Sequence, residues 1–147
     1  MAVDVLSEIV IDRPCEQVAA YAADPSHAPD WYVNISSVEW LTEPPARVGL
    51  RMAFVARFLG RRLAYTYEIV VYVPGERLVM RTAQGPFPMG TTYTWRSDGP
   101  ERTRMTLRNR GEPAGFSRLG GPFVALAMRR ANRNDLAALK ARLETAG

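Results

Sequence analysis

The residues best suited to chemistry in this 147-residue chain are three tyrosines predicted to share one face of a sheet. Tyr65 and Tyr67 lie two residues apart in one strand-like segment, and Tyr93 lies in another. Side chains two apart on a strand point the same way. A phenol in an apolar wall can donate a hydrogen bond to a carbonyl or stabilise an enolate. The alternative is that all three are core tyrosines whose hydroxyls bond backbone or water.

Other kinds of reactive site are not expected. One His and one Cys cannot build a zinc or iron site of the usual kind. Cys15 stands at a predicted helix start, where a thiolate is favoured, but its base would have to be His27, and an inert thiol is the expectation. Glu8 and Glu68 fall on the outer face of the predicted strands, so paired carboxylates are not expected. We therefore predict no metal, no cofactor and no assigned catalytic residue.

Strands with two unlike faces position the tyrosines. Residues 50–58, 63–71, 78–84 and 104–110 alternate apolar and polar side chains, and residues 3–12, 35–42 and 89–96 are three further strands. Short Gly/Pro-containing turns join neighbours. The pattern predicts an antiparallel sheet with one wet face and one covered face. The wet face carries six arginines: Arg51, Arg57, Arg77, Arg81, Arg104 and Arg108.

A long C-terminal helix is the element predicted to cover the other face. It begins at residue 118 or 121, ends near residue 144 and carries one apolar stripe. Two short helices are expected between the first two strands, from about Pro14 and over residues 25–32. The fold class is therefore α+β, with a seven-stranded curved antiparallel sheet wrapped around one helix. Residues 1–147 are expected to form a single domain.

The covered face is too polar for a plain core, which suggests a cavity that holds a small molecule. We expect a volume of a few hundred Å³ between sheet and helix. The residues predicted to bind the ligand are Phe54, Tyr65, Tyr67, Met80, Tyr93, Trp95, Met105, Phe123, Met128 and Asn132.

Asn132 interrupts the apolar stripe of the long helix, one turn after Met128 and one turn before Leu136. A buried amide is costly unless it is hydrogen-bonded. Its partner is either a strand side chain such as Asn109, or water, in a structural role, or a polar group of the ligand. The sequence leaves both roles open.

The composition and charge of the chain restrict the cellular compartment and the binding partners that we expect. The net charge is +4, and no apolar run reaches the roughly 20 residues that span a bilayer. The first residues lack the basic segment of a signal peptide, and Cys15 is the single cysteine, so a cytoplasmic protein is expected. A nucleic-acid site is disfavoured, because the aromatics, apart from Tyr72, fall on the face opposite the arginines.

Four segments carry a resemblance to a known family. These are IDRPCEQVAAYAADPSHAPDW, YEIVVYVPGERLVMRT, GPFPMGTTYTW and DLAALKARLE. Together with the element order, they resemble the START-like helix-grip (SRPBCC) superfamily, in its polyketide cyclase/dehydrase and lipid-transport branch. The resemblance implies a deep apolar cavity that holds lipids, polyketides or hormones, often without catalysis. No motif matches a catalytic set residue by residue.

The first functional hypothesis is a binding protein for a small hydrophobic or aromatic ligand, lipid- or polyketide-like, in the cavity. The alternative is a polyketide aromatase/cyclase or dehydratase that uses the pocket tyrosines. A third class is a regulator that binds another protein through the exposed sheet face. A homodimer is left open.

Overall fold

The computed structural model describes residues 3–32, 35–41, 47–58, 60–84, 88–111 and 121–145. The strands are β1 (Val3–Ile11), β2 (Ile35–Trp40), β3 (Arg51–Phe58), β4 (Arg61–Val73), β5 (Arg77–Gln84), β6 (Met89–Ser97) and β7 (Thr103–Gly111). The α-helices are α1 (Cys15–Ala22), α2 (Ala28–Trp31) and α3 (Gly121–Thr145), and a 3₁₀ turn over Pro25–His27 precedes α2.

The seven strands form one antiparallel sheet in the order β1-β7-β6-β5-β4-β3-β2. The α+β class and the helix-grip arrangement are thereby confirmed. Sequential strands are neighbours from β2 to β7, and β1 closes the order by pairing with β7. The positive φ of +80° at Gly75 lets the tight turn between β4 and β5 form, with Glu76 N donating to Val73 O over 2.9 Å.

The arginines lie on the outer face, as the alternation predicts. Arg51, Arg57, Arg77 and Arg81 are exposed, and Arg104 and Arg108 are half-buried. Several meet acids on a neighbouring strand: Arg108 binds Asp4 with two hydrogen bonds, at 2.8 and 2.6 Å. These hydrogen bonds are the main reason that the pKa of Asp4 lies below its usual range. The outer face is thus a solvated surface on which Arg51, Arg104 and Arg108 pair with acidic side chains.

Tyr72 lies on the face opposite to the one that strict alternation predicts. The sequence places it on the arginine face, but it packs against the core. The register of β4 against β5 shifts between Ile69 and Val71, so Tyr72 lies opposite the buried Leu78. A β-bulge inserts one residue and exchanges the faces beyond it.

Two apolar clusters hold α3 against the sheet. Val124 and Met128 pack with Val3, Val5 and Leu63 near the start of the helix. Leu136, Leu139 and Leu143 belong to the main core. At the far end, Lys140 Nζ donates to Val10 O over 2.9 Å, and Asp12 N donates to Glu144 Oε2 over 2.8 Å. The last turns of α3 are therefore fixed to the end of β1.

Candidate functional site: a cavity between the sheet and α3

A cavity of about 120 Å³ lies between the covered face of the sheet and the middle of α3. Strands β2 to β7, the α1–α2 segment and α3 all contribute side chains to its wall. The volume is smaller than the few hundred Å³ expected from sequence, because bulky side chains such as Phe54, Tyr65 and Tyr67 fill much of the space. The wall remains mainly apolar, as small-molecule sites usually are.

Seven of the ten residues predicted to bind a ligand line this cavity. They are Phe54, Tyr65, Tyr67, Met80, Tyr93, Met128 and Asn132. Phe54, Tyr65 and Tyr67 form an aromatic cluster with ring centroids 5.1 to 5.8 Å apart. Strand alternation brings these three together, as the sequence predicts.

The other three predicted residues lie outside the cavity wall. Trp95 and Met105 are directly opposite each other on β6 and β7, and both are buried in the core. Met105 also lies opposite Ile9, one residue before the carbonyl to which α3 is fixed through Lys140. Phe123 lies on the outer side of α3 and is 52% exposed.

The predicted set lacks many of the wall residues, among them Trp31, Tyr32, Thr91 and Asp135. Trp31 is 1% exposed and packs on Tyr32, with ring centroids 4.2 Å apart. Thr91 occupies the inner position two residues before Tyr93, so alternation could have identified it. Asp135 is three residues after Asn132, on the same side of a helix.

A chain of hydrogen bonds between buried side chains crosses the cavity wall from β4 to α3. The Tyr67 and Thr91 hydroxyls lie 2.7 Å apart, and Thr91 Oγ1 donates to Asn109 Oδ1 over 2.6 Å. Asn109 Nδ2 then donates to Asn132 Oδ1 over 2.9 Å. The structural role considered for Asn132 is thereby present, with Asn109 as its partner. Asn132 Nδ2 itself is buried and makes no hydrogen bond within the described part of the chain.

A separate hydrogen bond joins two wall tyrosines, Tyr32 and Tyr93, through their hydroxyl groups. Burial raises the pKa of both well above the ordinary value. Burial likewise raises the pKa of Tyr65, and that of Tyr67 to about 12. The four phenols therefore stay protonated at neutral pH, where they can donate hydrogen bonds but cannot act as bases.

One side of the cavity reaches the protein surface. Arg57, near the end of β3, lines the cavity and is exposed, and the half-buried Asp24 follows α1. Ile35 of β2 and Leu63 of β4 lie opposite Ala56, next to Arg57, and also line the wall. This geometry favours entry between the α1–α2 segment and the ends of β3 and β4.

Reactive groups outside the cavity do not form a competing site in the described part of the chain. Partial burial raises the pKa of the Cys15 thiol, whose sulfur lies 3.6 Å from the Gly75 carbonyl oxygen. Among the described residues, no group of three His, Cys, Asp or Glu side chains is placed to hold a metal. No helix in the described ranges is long and apolar enough to cross a membrane.

A wrapped sheet, a long closing helix and an apolar cavity between them define the START-like helix-grip class. The model of the family "Polyketide cyclase / dehydrase and lipid transport" matches residues 2–144. The chain belongs to this family. No curated protein matches the chain.

Solved structures share the fold over nearly the whole chain. The protein TTHA0849 from Thermus thermophilus is 24% identical, with a TM-score of 0.83 and coverage of 98% of this chain and 99% of the other. A START superfamily protein from Mycobacterium smegmatis is 16% identical, with the same TM-score and coverage. The Zhui aromatase/cyclase from Streptomyces sp. R1128 is 16% identical, with a TM-score of 0.81 and coverage of 98% and 94%. At these identities, the likeness shows the fold.

Proposed function

We propose that this protein binds a small, hydrophobic or aromatic molecule, lipid- or polyketide-like, in the cavity between the sheet and α3. The observation that carries the proposal is the cavity itself. Its wall combines aromatic rings and methionines with a few buried polar groups from Thr91, Asn109 and Asn132. Apolar walls supply affinity, and sparse polar groups orient the ligand. Family membership supports the same function.

The raised pKa values of the wall tyrosines favour binding over acid–base catalysis. A general acid works best when its pKa lies near the working pH. The pKa of Tyr67, about 12, lies far above neutrality, and burial raises that of Tyr93 further. These phenols are better suited to orienting a ligand than to exchanging protons with it.

A cavity-filling substitution tests the proposal. N-phenyl-1-naphthylamine, an uncharged fluorescent probe, should bind the wild type at micromolar concentration, with part of the molecule in the cavity and the rest in its open side, and should quench Trp31, the tryptophan in the wall. Ala131→Phe places a benzyl group in the cavity from the middle of α3. We expect this variant to weaken probe binding by at least about tenfold, because the apolar surface available to the probe is lost.

Ala137→Phe is the matched control, because Ala137 is exposed on the same helix. It should bind the probe like the wild type. Equal binding by both variants would place the probe outside the cavity and remove the support for the proposal.

An aromatase/cyclase or dehydratase is the second candidate, favoured by the protonated phenols in the wall. They could hold a keto oxygen in one orientation while the chain of a poly-β-ketone folds, which lowers the barrier through positioning. Incubation with a poly-β-ketone analogue distinguishes the candidates. Accelerated cyclisation or loss of water, reduced in Tyr93→Phe, would support the enzyme; tight binding with no change in product rate would support the binding protein.

A further inference from the structure

The hydrogen-bond chain in the cavity wall has a direction, which follows from counting its protons. Asn109 bonds neighbours on both sides, with its oxygen toward Thr91 and its amide nitrogen toward Asn132. The single Thr91 proton therefore goes to Asn109, and the hydroxyl of Tyr67 must donate to Thr91. In this order, the donor left over is the amide nitrogen of Asn132.

The opposite order would require both amides to be turned over and would leave the Tyr67 proton unused. Phenols are more acidic than aliphatic alcohols, so they are the stronger donors and the weaker acceptors. Tyr67 donating to Thr91 is consequently the better arrangement. The chain therefore ends at Asn132, whose side chain is 3% exposed and lines the cavity.

A second donor on the cavity wall also has no partner among the residues that the structure describes. Trp31 is 1% exposed, and its Nε1 makes no hydrogen bond within the described residues. Buried donors are seldom left unpaired, because the loss of water is then uncompensated. A ligand that brings acceptor oxygens would satisfy them.

The charges around the cavity indicate which acceptor fits. The cation among the described wall residues is Arg57, which is exposed. Asp135 is buried and lies on the same side of α3 as Asn132. This residue has an interaction of its own. A ligand carboxylate or phosphate would be buried near the Asp135 carboxyl group without a buried cation. An uncharged oxygen avoids this cost.

We infer that the ligand carries an uncharged carbonyl oxygen, as in a ketone, quinone or amide, which accepts a hydrogen bond from Asn132 Nδ2. This inference rests on the proposed binding function and narrows its ligand class. Tyr67, Thr91 and Asn109 act as positioning residues, since they hold the oxygen of Asn132 and so turn its amide nitrogen toward the ligand.

Three probes of nearly equal shape test the inference: 2-acetylnaphthalene, 2-isopropenylnaphthalene and 2-naphthoate. Calorimetric titration should show the ketone binding about 3- to 10-fold more tightly than the alkene, the range expected for one neutral hydrogen bond. The carboxylate should bind least tightly. Asn132→Leu should bind ketone and alkene equally, whereas Asn134→Leu, an exposed position on the same helix, should keep the preference.

Side-chain amide NMR supplies a measurement on the wild type, should Asn132→Leu fail to fold. The ketone should shift the Asn132 amide protons downfield, and the alkene should not. Equal affinity of the wild type for ketone and alkene would overturn the inference while leaving the binding function intact. Binding of none of the probes would instead count against the proposed function. A preference lost in Tyr67→Phe but kept in Asn132→Leu would overturn the assignment to Asn132.

Discussion

Raising the pH from about 9 to about 12 should destabilise this protein, with the free energy of unfolding falling steadily above about pH 10. Buried tyrosines are the cause. An unfolded tyrosine ionises near pH 10, whereas burial raises the pKa of Tyr67 to about 12 and shifts those of Tyr32, Tyr65 and Tyr93 upward. The folded state therefore holds these protons more tightly than the unfolded state does.

The direction of this pH effect follows from the linkage between proton binding and folding. Stability from a raised pKa is fully present below the unfolded pKa and is lost as pH rises toward the folded one. Tyr67 alone should remove about 2 kcal/mol by about pH 12. Ionisation of Tyr32, Tyr65 and Tyr93 acts in the same direction, because burial raises their pKa values as well.

Urea unfolding followed by circular dichroism at a series of pH values measures this loss. The experiment belongs in a Cys15→Ser background, because the raised thiol pKa acts in the same direction. Arginine stays protonated throughout, so its surface ion pairs cannot cause the loss. The background also carries Lys140→Arg, because lysine side chains ordinarily lose their proton in this pH range and Lys140 pairs with Glu144. Tyr67→Phe should make the decline shallower. Constant stability up to about pH 12 would mean that the tyrosines are not buried as described.

Leu139→Ala should destabilise the fold by about 2–5 kcal/mol, the range measured for leucines removed from packed cores. Leu139 is fully buried, four residues before Leu143 in the main core, where α3 is fixed to β1. Leu126→Ala is the matched control on the same helix, 64% exposed, and should change stability by less than about 0.5 kcal/mol. Chemical denaturation gives both values. Similar losses at the two sites would mean that α3 does not use this face to cover the sheet.

Alternation was enough to predict the sheet, because its period of two appears in each strand and short turns separate the strands. It assigned Tyr65, Tyr67 and Met80 to the cavity side correctly. It failed at Tyr72, since a β-bulge is a backbone event that no residue type nearby indicates. It could not separate Met105 from Met80 either, because both face inward and only the approach of α3 decides which borders a cavity.

For α3, too, the sequence predicted some features and missed others. Asn132 stood out because an amide in an apolar stripe demands a partner, and Asn109 proved to be one. The further connection from Asn109 through Thr91 to Tyr67 was not predicted. Threonine is common in strands, so Thr91 did not stand out, and the hydrogen bonds depend on distances between side chains on three different strands. The cavity volume likewise results from packing between elements that are distant in sequence.

Occupation of the cavity by a ligand is tested most directly by methionine-methyl NMR. The chain has six methionines. Met80, Met89 and Met128 line the cavity, whereas Met52 and Met105 are fully buried outside its wall.

Titration of methyl-labelled protein with N-phenyl-1-naphthylamine should move the resonances of the three wall methionines by ring-current shifts. Those of Met52 and Met105 should change little. Saturating shifts confined to Met80, Met89 and Met128 are the predicted result. Probe binding that leaves the resonances of these three methionines unmoved would show that the ligand does not occupy the cavity.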